Sequence, residues 1–260
     1  MKRALLHALA LCMMVPLLIG CTVGQAEELI VIAAASLTEP LTELGGKYMA
    51  VHPGLELLFN FDSSGTLKTQ IQEGADCDVF ISAGQMQMDA LEEQDMLLPD
   101  MRFDILENKV ALVVPEGNPA GIYTYKDMIS GLQDGSILMA MGGADVPVGQ
   151  YTREILAYFG LTEDDLAAAG SVTYGSNVKE VTTQVCEALV DCGVIYQTDV
   201  CSAGLTVVDT ATEEMCGRVV YPVTIMESCA NPDAARDFLD YLTGDVGDAE
   251  FASVGFTPLN

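Results

Sequence analysis

Cations are scarce in this sequence, and tryptophan is absent. The chain of 260 residues has 11 lysines and arginines against 38 aspartates and glutamates, which gives a formal net charge of −27. Surfaces that bind nucleic acid or anionic lipid carry clustered cations. The composition therefore argues against nucleic acid and anionic lipid headgroups as partners, and it indicates a solvated acidic surface.

Motifs that mark many enzymes and metal sites are also missing. There is no Cys-x-x-Cys pair, no His-x-x-x-His, no phosphate loop ending in Gly-Lys-Ser/Thr and no Gly-x-Ser-x-Gly elbow. We expect no catalysis, no cofactor and no direct metal ligands from the protein. An exported hydrolase with Ser36 or Ser64 as nucleophile is the alternative, but its base would have to be His52, which lies in a Val-His-Pro-Gly turn.

The N-terminus has the pattern of a secretory signal. Two cations precede an apolar stretch, residues 4–19, that is too short to span a bilayer. The stretch closes on Leu-Ile-Gly-Cys, which resembles a bacterial lipobox. We therefore predict a lipoprotein signal peptide at 1–20, lipid attachment at Cys21 and a linker at 21–26. This places the protein on the outer face of the cell membrane; a plain cleaved signal and an uncleaved anchor are the alternatives.

The rest of the chain alternates between two hydrophobic patterns. Short runs rich in β-branched residues predict strands, at 29–33, 55–60, 79–82, 110–114, 137–141, 172–174, 194–196, 205–208 and 219–226. Apolar residues at helical spacing predict helices, at 37–49, 66–72, 86–94, 149–159, 178–189 and 232–242. The repeated order of strand and helix favours an α/β fold, with parallel strands covered by helices on both faces.

Two strand patterns are long enough to pass between two lobes. Residues 106–115 form one, and residues 218–226, with a proline in the middle, form the other. Proline is poorly placed inside a central strand. We therefore predict two doubly wound α/β lobes, joined by two crossing hinge strands, with a ligand cleft between them. Lobe I would comprise residues 27–107 and 222–260, and lobe II residues 108–221. A single sheet with long strands is the alternative.

Four junctions between a strand and a helix offer unpaired backbone N–H groups. They lie at 33–39, 62–67, 146–151 and 175–180. Helix N-termini attract anions through these donors and through the helix dipole, and serine adds a hydroxyl. Ordinary capping is the alternative, because the segments 36–39 and 177–180 both fit a capping box. If the first junction binds an anion, the carboxylate of Glu39 must point away from it.

Six cysteines follow Cys21, an even number that permits disulfides in an exported protein. They are Cys77, Cys186, Cys192, Cys201, Cys216 and Cys229. Cys186 with Cys192, or Cys201 with Cys216, would close short loops. Buried free thiols are the alternative, and the sequence leaves the pairing open.

Short motifs occur at these junctions and beyond them. They are Ala-Ala-Ala-Ser-Leu-Thr at 33–38, Ser-Ser-Gly-Thr-Leu at 63–67 followed by Gln-Ile at 70–71 and Gly-Ala-Asp at 74–76, Asp-Val-Phe-Ile-Ser-Ala at 78–83, Val-Pro-Val-Gly-Gln-Tyr at 146–151, Asn-Val-Lys at 177–179, Gly-Val-Ile-Tyr at 193–196 and Gly-Phe-Thr at 255–257. In order and spacing they resemble the substrate-binding proteins of bacterial molybdate ABC transporters. The resemblance runs from about residue 29 to the C-terminus. It implies the type II periplasmic binding protein fold, with an oxyanion in the cleft.

The resemblance also implies which groups contact the ligand. This family uses hydroxyls and backbone N–H groups, which correspond here to the hydroxyls of Ser36, Ser64 and Tyr196 and the N–H groups of Val148 and Val178. Lysine side chains, such as those of Lys68 and Lys179, would not contribute. The sequence departs from the family pattern at Val148, where alanine is familiar, and at Gly65, which replaces a further serine. Both changes bear on selectivity.

The implied function is that of a lipid-anchored solute-binding protein. It would capture molybdate or tungstate, act as a monomer and deliver the ion to the permease of an ABC transporter. Both ions are fully ionised at neutral pH and only accept hydrogen bonds, which suits a site built of donors. Phosphate keeps a proton that such a site leaves unpaired, at a cost of about 1–3 kcal/mol. Sulfate or another tetrahedral oxyanion is the alternative ligand.

Overall fold

The computed structural model describes residues 27–259, and within this range strands and helices alternate around two β-sheets. The strands are β1 (Glu27–Ala34), β2 (Leu55–Asp62), β3 (Val79–Ile81), β4 (Phe103–Asn108), β5 (Val110–Val114), β6 (Met139–Gly142), β7 (Val172–Gly175), β8 (Cys192–Tyr196), β9 (Thr206–Thr210), β10 (Val219–Ile225) and β11 (Thr257–Pro258). The helices are α1 (Thr38–Val51), α2 (Ser64–Gln72), α3 (Gln85–Glu92), α4 (Tyr125–Asp134), α5 (Pro147–Tyr158), α6 (Glu163–Ala169), α7 (Val178–Cys186), α8 (Gln197–Ala203), α9 (Glu213–Cys216), α10 (Pro232–Leu242) and α11 (Asp245–Ser253). A 3-10 turn, Ala35–Leu37, precedes α1.

The first sheet, which defines the first lobe, has six strands in the order β11-β4-β10-β3-β1-β2. β1 pairs in parallel with β2 and β3, whereas β10 runs antiparallel to β3 and β4. β3 is buried at every residue, as expected of a strand covered on both faces. The carboxyl ends of β1 and β2 share one edge, where the turn before α1 and the first residue of α2 lie.

The second sheet, which defines the second lobe, has five strands in the order β7-β6-β8-β5-β9. β6 pairs in parallel with β7 and β8, and β5 is antiparallel to β8 and β9. Each of β6, β7 and β8 is followed by a helix: α5, α7 and α8, respectively. These three helices therefore begin at the same edge of the second sheet.

The chain passes between the sheets twice, so the predicted two-lobed α/β fold is confirmed. β4 lies in the first sheet and β5 in the second, with Lys109 between them, and the return lies between β9 and β10. β10 belongs to the first sheet along its whole length, so the second crossing lies before Val219 and not within the predicted hinge strand 218–226. Its register with β4 shifts between Tyr221 and Pro222, which accommodates a residue without an N–H in a central strand. The residue bounds of the two lobes stay a prediction.

The predicted lipobox with Cys21 and the linker at 21–26 lie outside the described residues. From residue 27 to 259, no helix is long and apolar enough to cross a membrane. The six cysteines in this range are free. The two near-neighbour pairs are not formed, and in each pair one cysteine is exposed and the other is buried.

Candidate ligand-binding site

Five strand ends from the two lobes converge on one cavity. In the first lobe, β1 leads to Ser36 and β2 leads to Ser64, the first residue of α2. In the second lobe, β6 and β7 lead to Val148 and Val178 at the starts of α5 and α7, and β8 ends at Tyr196. All five predicted site residues line the cavity. This location, beyond the carboxyl ends of parallel strands, is where open α/β sheets bind ligands.

The cavity is small, and no charged side chain of residues 27–259 lines it. Its other lining residues are Ala34, Ala35, Ser63, Ala83, Val146 and Pro147. The volume open to the centre of a water-sized sphere is about 10 Å³. This is roughly the least volume that holds one water molecule. The N-termini of three helices meet here and contribute N–H groups and positive dipole ends. In this conformation the site suits a small anion and excludes a large organic ligand.

Ser36 is held by a buried tyrosine of the first sheet. Its Oγ lies 3.0 Å from the hydroxyl of Tyr221 in β10, and that hydroxyl accepts a hydrogen bond of 3.2 Å from Nδ2 of Asn108. All three residues are at most 4% exposed. Burial raises the pKa of Tyr221 well above its ordinary value, so the hydroxyl keeps its proton at neutral pH. Ser36 is therefore fixed at the cavity wall.

Ser64 connects the start of α2 to the loop after β3. Its Oγ accepts a hydrogen bond of 2.9 Å from the N–H of Ala83, so its own hydrogen stays available for the cavity. The helix is capped by the preceding serine, Ser63, whose Oγ accepts from the N–H of Thr66 at 3.1 Å. Of two adjacent serines, the first caps the helix and the second is left for the site.

Tyr196 brings a hydroxyl from the second lobe to the first. It donates a long hydrogen bond of 3.4 Å to the carbonyl of Ala83, and its ring makes edge contacts with Tyr151 and Tyr221. Burial raises the pKa of Tyr196 well above its ordinary value, so the group is a donor at neutral pH. Because the present hydrogen bond is long and weak, a better acceptor in the cavity would take this donor.

The backbone donor at Val148 depends on close contact between α5 and β6. A Cβ at the next residue, Gly149, would overlap the carbonyl oxygen of Gly142 and lie 2.6 Å from its carbonyl carbon. Glycine is therefore required for the helix to begin so near the strand. Val148 is the second residue of α5, where the N–H has no partner within the helix. Its side chain is fully buried and lines the cavity, so it takes space that an alanine would leave.

Polar contacts cross between the lobes beside the cavity. Nζ of Lys179 in α7 lies 2.9 Å from Oε2 of Glu39 in α1 and 3.1 Å from Oδ1 of Asp199 in α8. Nearby, Nδ2 of Asn177 donates to Oδ1 of Asp62 at 3.1 Å. The carboxylate of Glu39 is thus directed to a cation, as an anion site requires. Lys179 was expected to have no part in the site. It does not line the cavity, but it links the two lobes beside it.

Asp199 should lower the stability of the folded protein as the pH rises. Burial raises the pKa of its carboxyl to about 6, although Lys179 acts in the opposite direction, whereas an unfolded aspartate titrates near about 3.9. Between these values the folded state binds more protons than the unfolded state, so stability falls as the pH rises from about 4 to 6. Asp199→Asn should therefore raise the free energy of unfolding at neutral pH by about 1–3 kcal/mol.

Urea unfolding of the Asp199→Asn protein at about pH 5 and about pH 7.5 measures this effect, which should be smaller at the lower pH. Asp240→Asn, on the exposed side of α10, is the control and should leave both values unchanged. An Asp199→Asn protein that is less stable than wild type at the higher pH would contradict the prediction.

The sequence analysis did not identify the residues that hold the site residues in place. Asn108 and Tyr221 lie in no motif, and Ala83 ends the motif at 78–83 but was not assigned to the site. Tyr221 is 185 positions away from the serine it contacts. His52, the candidate base of a hydrolase, packs against α1. Its Nδ1 is 2.9 Å from the carbonyl oxygen of Tyr48, and its ring stacks on that tyrosine. His52 does not line the cavity.

Comparisons with known proteins agree with this architecture. A family profile described as bacterial extracellular solute-binding protein matches residues 29–257. The molybdate-binding protein ModA of Haemophilus influenzae is 31% identical over 245 residues, which cover 92% of this chain and 93% of that protein. YvgL of Bacillus subtilis, provisionally named an ABC transporter substrate-binding lipoprotein, is 28% identical over 250 residues and 93% of both chains.

The solved structure of the periplasmic molybdate-binding protein of Azotobacter vinelandii has the same fold. It matches with a TM-score of 0.77 at 22% identity, over 89% of this chain and 100% of that one. The matched profile spans both sheets and every residue that lines the cavity. This chain therefore belongs to the family of bacterial extracellular solute-binding proteins.

Proposed function

We propose that this protein captures molybdate or tungstate outside the cytoplasm and delivers the ion to the permease of an ABC transporter. One observation carries the proposal: donors from five strand ends in two lobes line one small cavity, without a cationic side chain from the described residues. The proposed contacts are the hydroxyls of Ser36, Ser64 and Tyr196 and the N–H groups of Val148 and Val178. The molybdate-binding relative at 31% identity supports this choice of ligand.

The polarity of the site favours oxyanions that carry no proton. Oγ of Ser64 already accepts from a backbone N–H and Oγ of Ser36 contacts a tyrosine hydroxyl, so both serines are suited to donate into the cavity. A phosphate proton without an acceptor costs about 1–3 kcal/mol, or roughly 5- to 150-fold in affinity. Sulfate is the second candidate, because it is also a pure acceptor and the cavity of about 10 Å³ is small.

Molybdate and tungstate should raise the melting temperature of the purified protein far more than sulfate, and phosphate should not raise it. A ligand at 100 times its dissociation constant adds about 2.7 kcal/mol of stability. Calorimetric titration with the four anions gives the affinities directly. Equal affinity for sulfate and molybdate would contradict the choice of ligand, and hydrolytic turnover that requires Ser36 or Ser64 would favour the enzyme instead.

Contacts across the cleft support a closed conformation that holds the ion. Tyr196 reaches Ala83 and Lys179 pairs with Glu39, so the lobes meet on more than one side of the cavity. Closure of this kind would bury the ion and create the surface that a permease recognises. We propose the predicted bounds, residues 27–107 and 222–260 for lobe I and residues 108–221 for lobe II, adjusted so that Asn108 and residues 219–221, which pair within the first sheet, belong to lobe I. We also propose that the protein acts as a monomer.

Cys21→Ser should release the protein from the membrane or leave its signal uncleaved, because lipid attachment needs the thiol. A single acyl chain binds a membrane marginally, whereas several chains hold firmly. The relative named as a lipoprotein supports this anchor. Cell fractionation and mass spectrometry of the mature N-terminus are the measurements. A mature chain that begins at Glu27 and carries no lipid would refute the anchor.

A further inference from the structure

A chain of hydrogen bonds in the core of the first lobe ends at the cavity. Oδ1 of Asn108 accepts from the N–H of Lys109 at 2.8 Å, which assigns the amide nitrogen and its two hydrogens to the opposite side. Those hydrogens go to Oγ1 of Thr198 at 3.0 Å and to the hydroxyl of Tyr221 at 3.2 Å. An amide nitrogen only donates, so Tyr221 must be the acceptor in this contact.

Proton counting then fixes the direction of the next hydrogen bond. Tyr221 is fully buried, and besides Asn108 its hydroxyl has one hydrogen-bonding partner among residues 27–259, Oγ of Ser36 at 3.0 Å. The single phenolic hydrogen is therefore donated to Ser36. Ser36 accepts it with one lone pair, and its own hydrogen has to turn away from the tyrosine. Ser36 lines the cavity, where that hydrogen finds an acceptor once an anion is bound.

We propose that Tyr221 is a positioning residue that fixes Ser36 as a hydrogen-bond donor toward the bound oxyanion, and that it thereby sets the preference for ions without a proton. The inference rests on the proposed function and adds to it a residue outside the ligand contacts. Asn108 acts one step further away, because it offers Tyr221 only a donor and so leaves Ser36 as the acceptor of the phenolic hydrogen. Without the tyrosine hydroxyl, Ser36 is free to rotate and to accept the proton of hydrogenphosphate.

The test is Tyr221→Phe, which removes the hydroxyl and keeps the ring. Molybdate affinity should fall about five- to tenfold, the effect of losing one neutral hydrogen bond. Phosphate should in addition begin to compete with molybdate, which a purely structural role of the tyrosine does not predict. Titration calorimetry with molybdate, in the presence and absence of phosphate, measures both. Tyr125→Phe is the matched control, because Tyr125 is 1% exposed and lies outside the cavity lining.

The control should bind molybdate as wild type does and remain insensitive to phosphate. Unchanged molybdate affinity in Tyr221→Phe would overturn the inference. So would a weaker affinity without any gain of phosphate competition, because the tyrosine would then act on packing alone. A wild-type protein that binds neither molybdate nor tungstate would overturn the proposed function together with the inference, and this outcome is recognised before any variant is compared.

Discussion

Replacing Gly65 with alanine should lower the affinity for molybdate about 100-fold, because the new methyl group prevents the lobes from closing. Gly65 lies in the first turn of α2, in the first lobe. A Cβ at this position would overlap the carbonyl oxygen of Asp145, before α5 in the second lobe, and lie 2.6 Å from its Cβ. The obstacle includes backbone of the opposite lobe, so no side-chain rotation relieves it. The cost therefore falls on the closed conformation.

The unliganded protein should be at least as stable as wild type, since alanine is favoured over glycine within a helix by up to about 1 kcal/mol. Thermal melting without ligand and calorimetric titration with molybdate separate the two effects. Gly46→Ala, in α1, is the matched control, because a Cβ there meets nothing within 4 Å. A Gly65→Ala protein with the affinity of wild type would show that ligand binding does not require this contact between the lobes.

Gly65 also shows that comparison with a family pattern does not reveal contacts between distant parts of the chain. The sequence identified this position as a departure that removes a donor from the site. The structure shows a steric role instead: the carbonyl of Asp145 occupies the space beside the glycine. The two residues are 80 positions apart, and no periodicity or spacing in the sequence indicates that they meet.

Elements with a strong local pattern were predicted well. α10 spans Pro232–Leu242 as the sequence predicted, with proline in its first turn and the side chain of Asn231 capping it. α5 begins at Pro147, two residues before the predicted start, because apolar periodicity does not register a first turn made of Pro and Val. The five proposed ligand contacts came from the family resemblance, which rests on short motifs at the ends of strands.

Helices with weaker or interrupted patterns were missed. α8 follows β8 without a break, so its first residues look like the continuation of a strand. α11 buries only Gly247 and Phe251 and therefore has no apolar stripe. α4 is different, because its buried residues Tyr125, Met128, Ile129 and Leu132 have helical spacing and a capping box of Thr124 and Asp127 begins it. Both signals are present in the sequence, and the prediction overlooked them. Contacts such as that of Tyr221 with Ser36 depend on how the strands are ordered in the sheet, which local patterns do not specify.

Replacing Ser64 with alanine should weaken molybdate binding about 10- to 100-fold, because a hydrogen bond to a charged group contributes about 1.5–3 kcal/mol. The melting temperature without ligand should also fall, since the N–H of Ala83 loses its acceptor in a buried position. Ser36→Ala should weaken binding to a similar extent and should also lower the melting temperature, because the buried hydroxyl of Tyr221 loses the acceptor of its hydrogen. Calorimetric titration and thermal melting of both variants measure these effects.

Lys68→Ala provides the control for both serine variants. Lys68 lies on the same helix as Ser64 but does not line the cavity, so its removal should leave molybdate affinity unchanged. Lys179 is unsuitable for this purpose, because it pairs with Glu39 across the lobes. If Lys68→Ala abolished binding while the serine variants bound normally, the anion would be held by a cation, and a site built from hydroxyls and backbone N–H groups would be wrong.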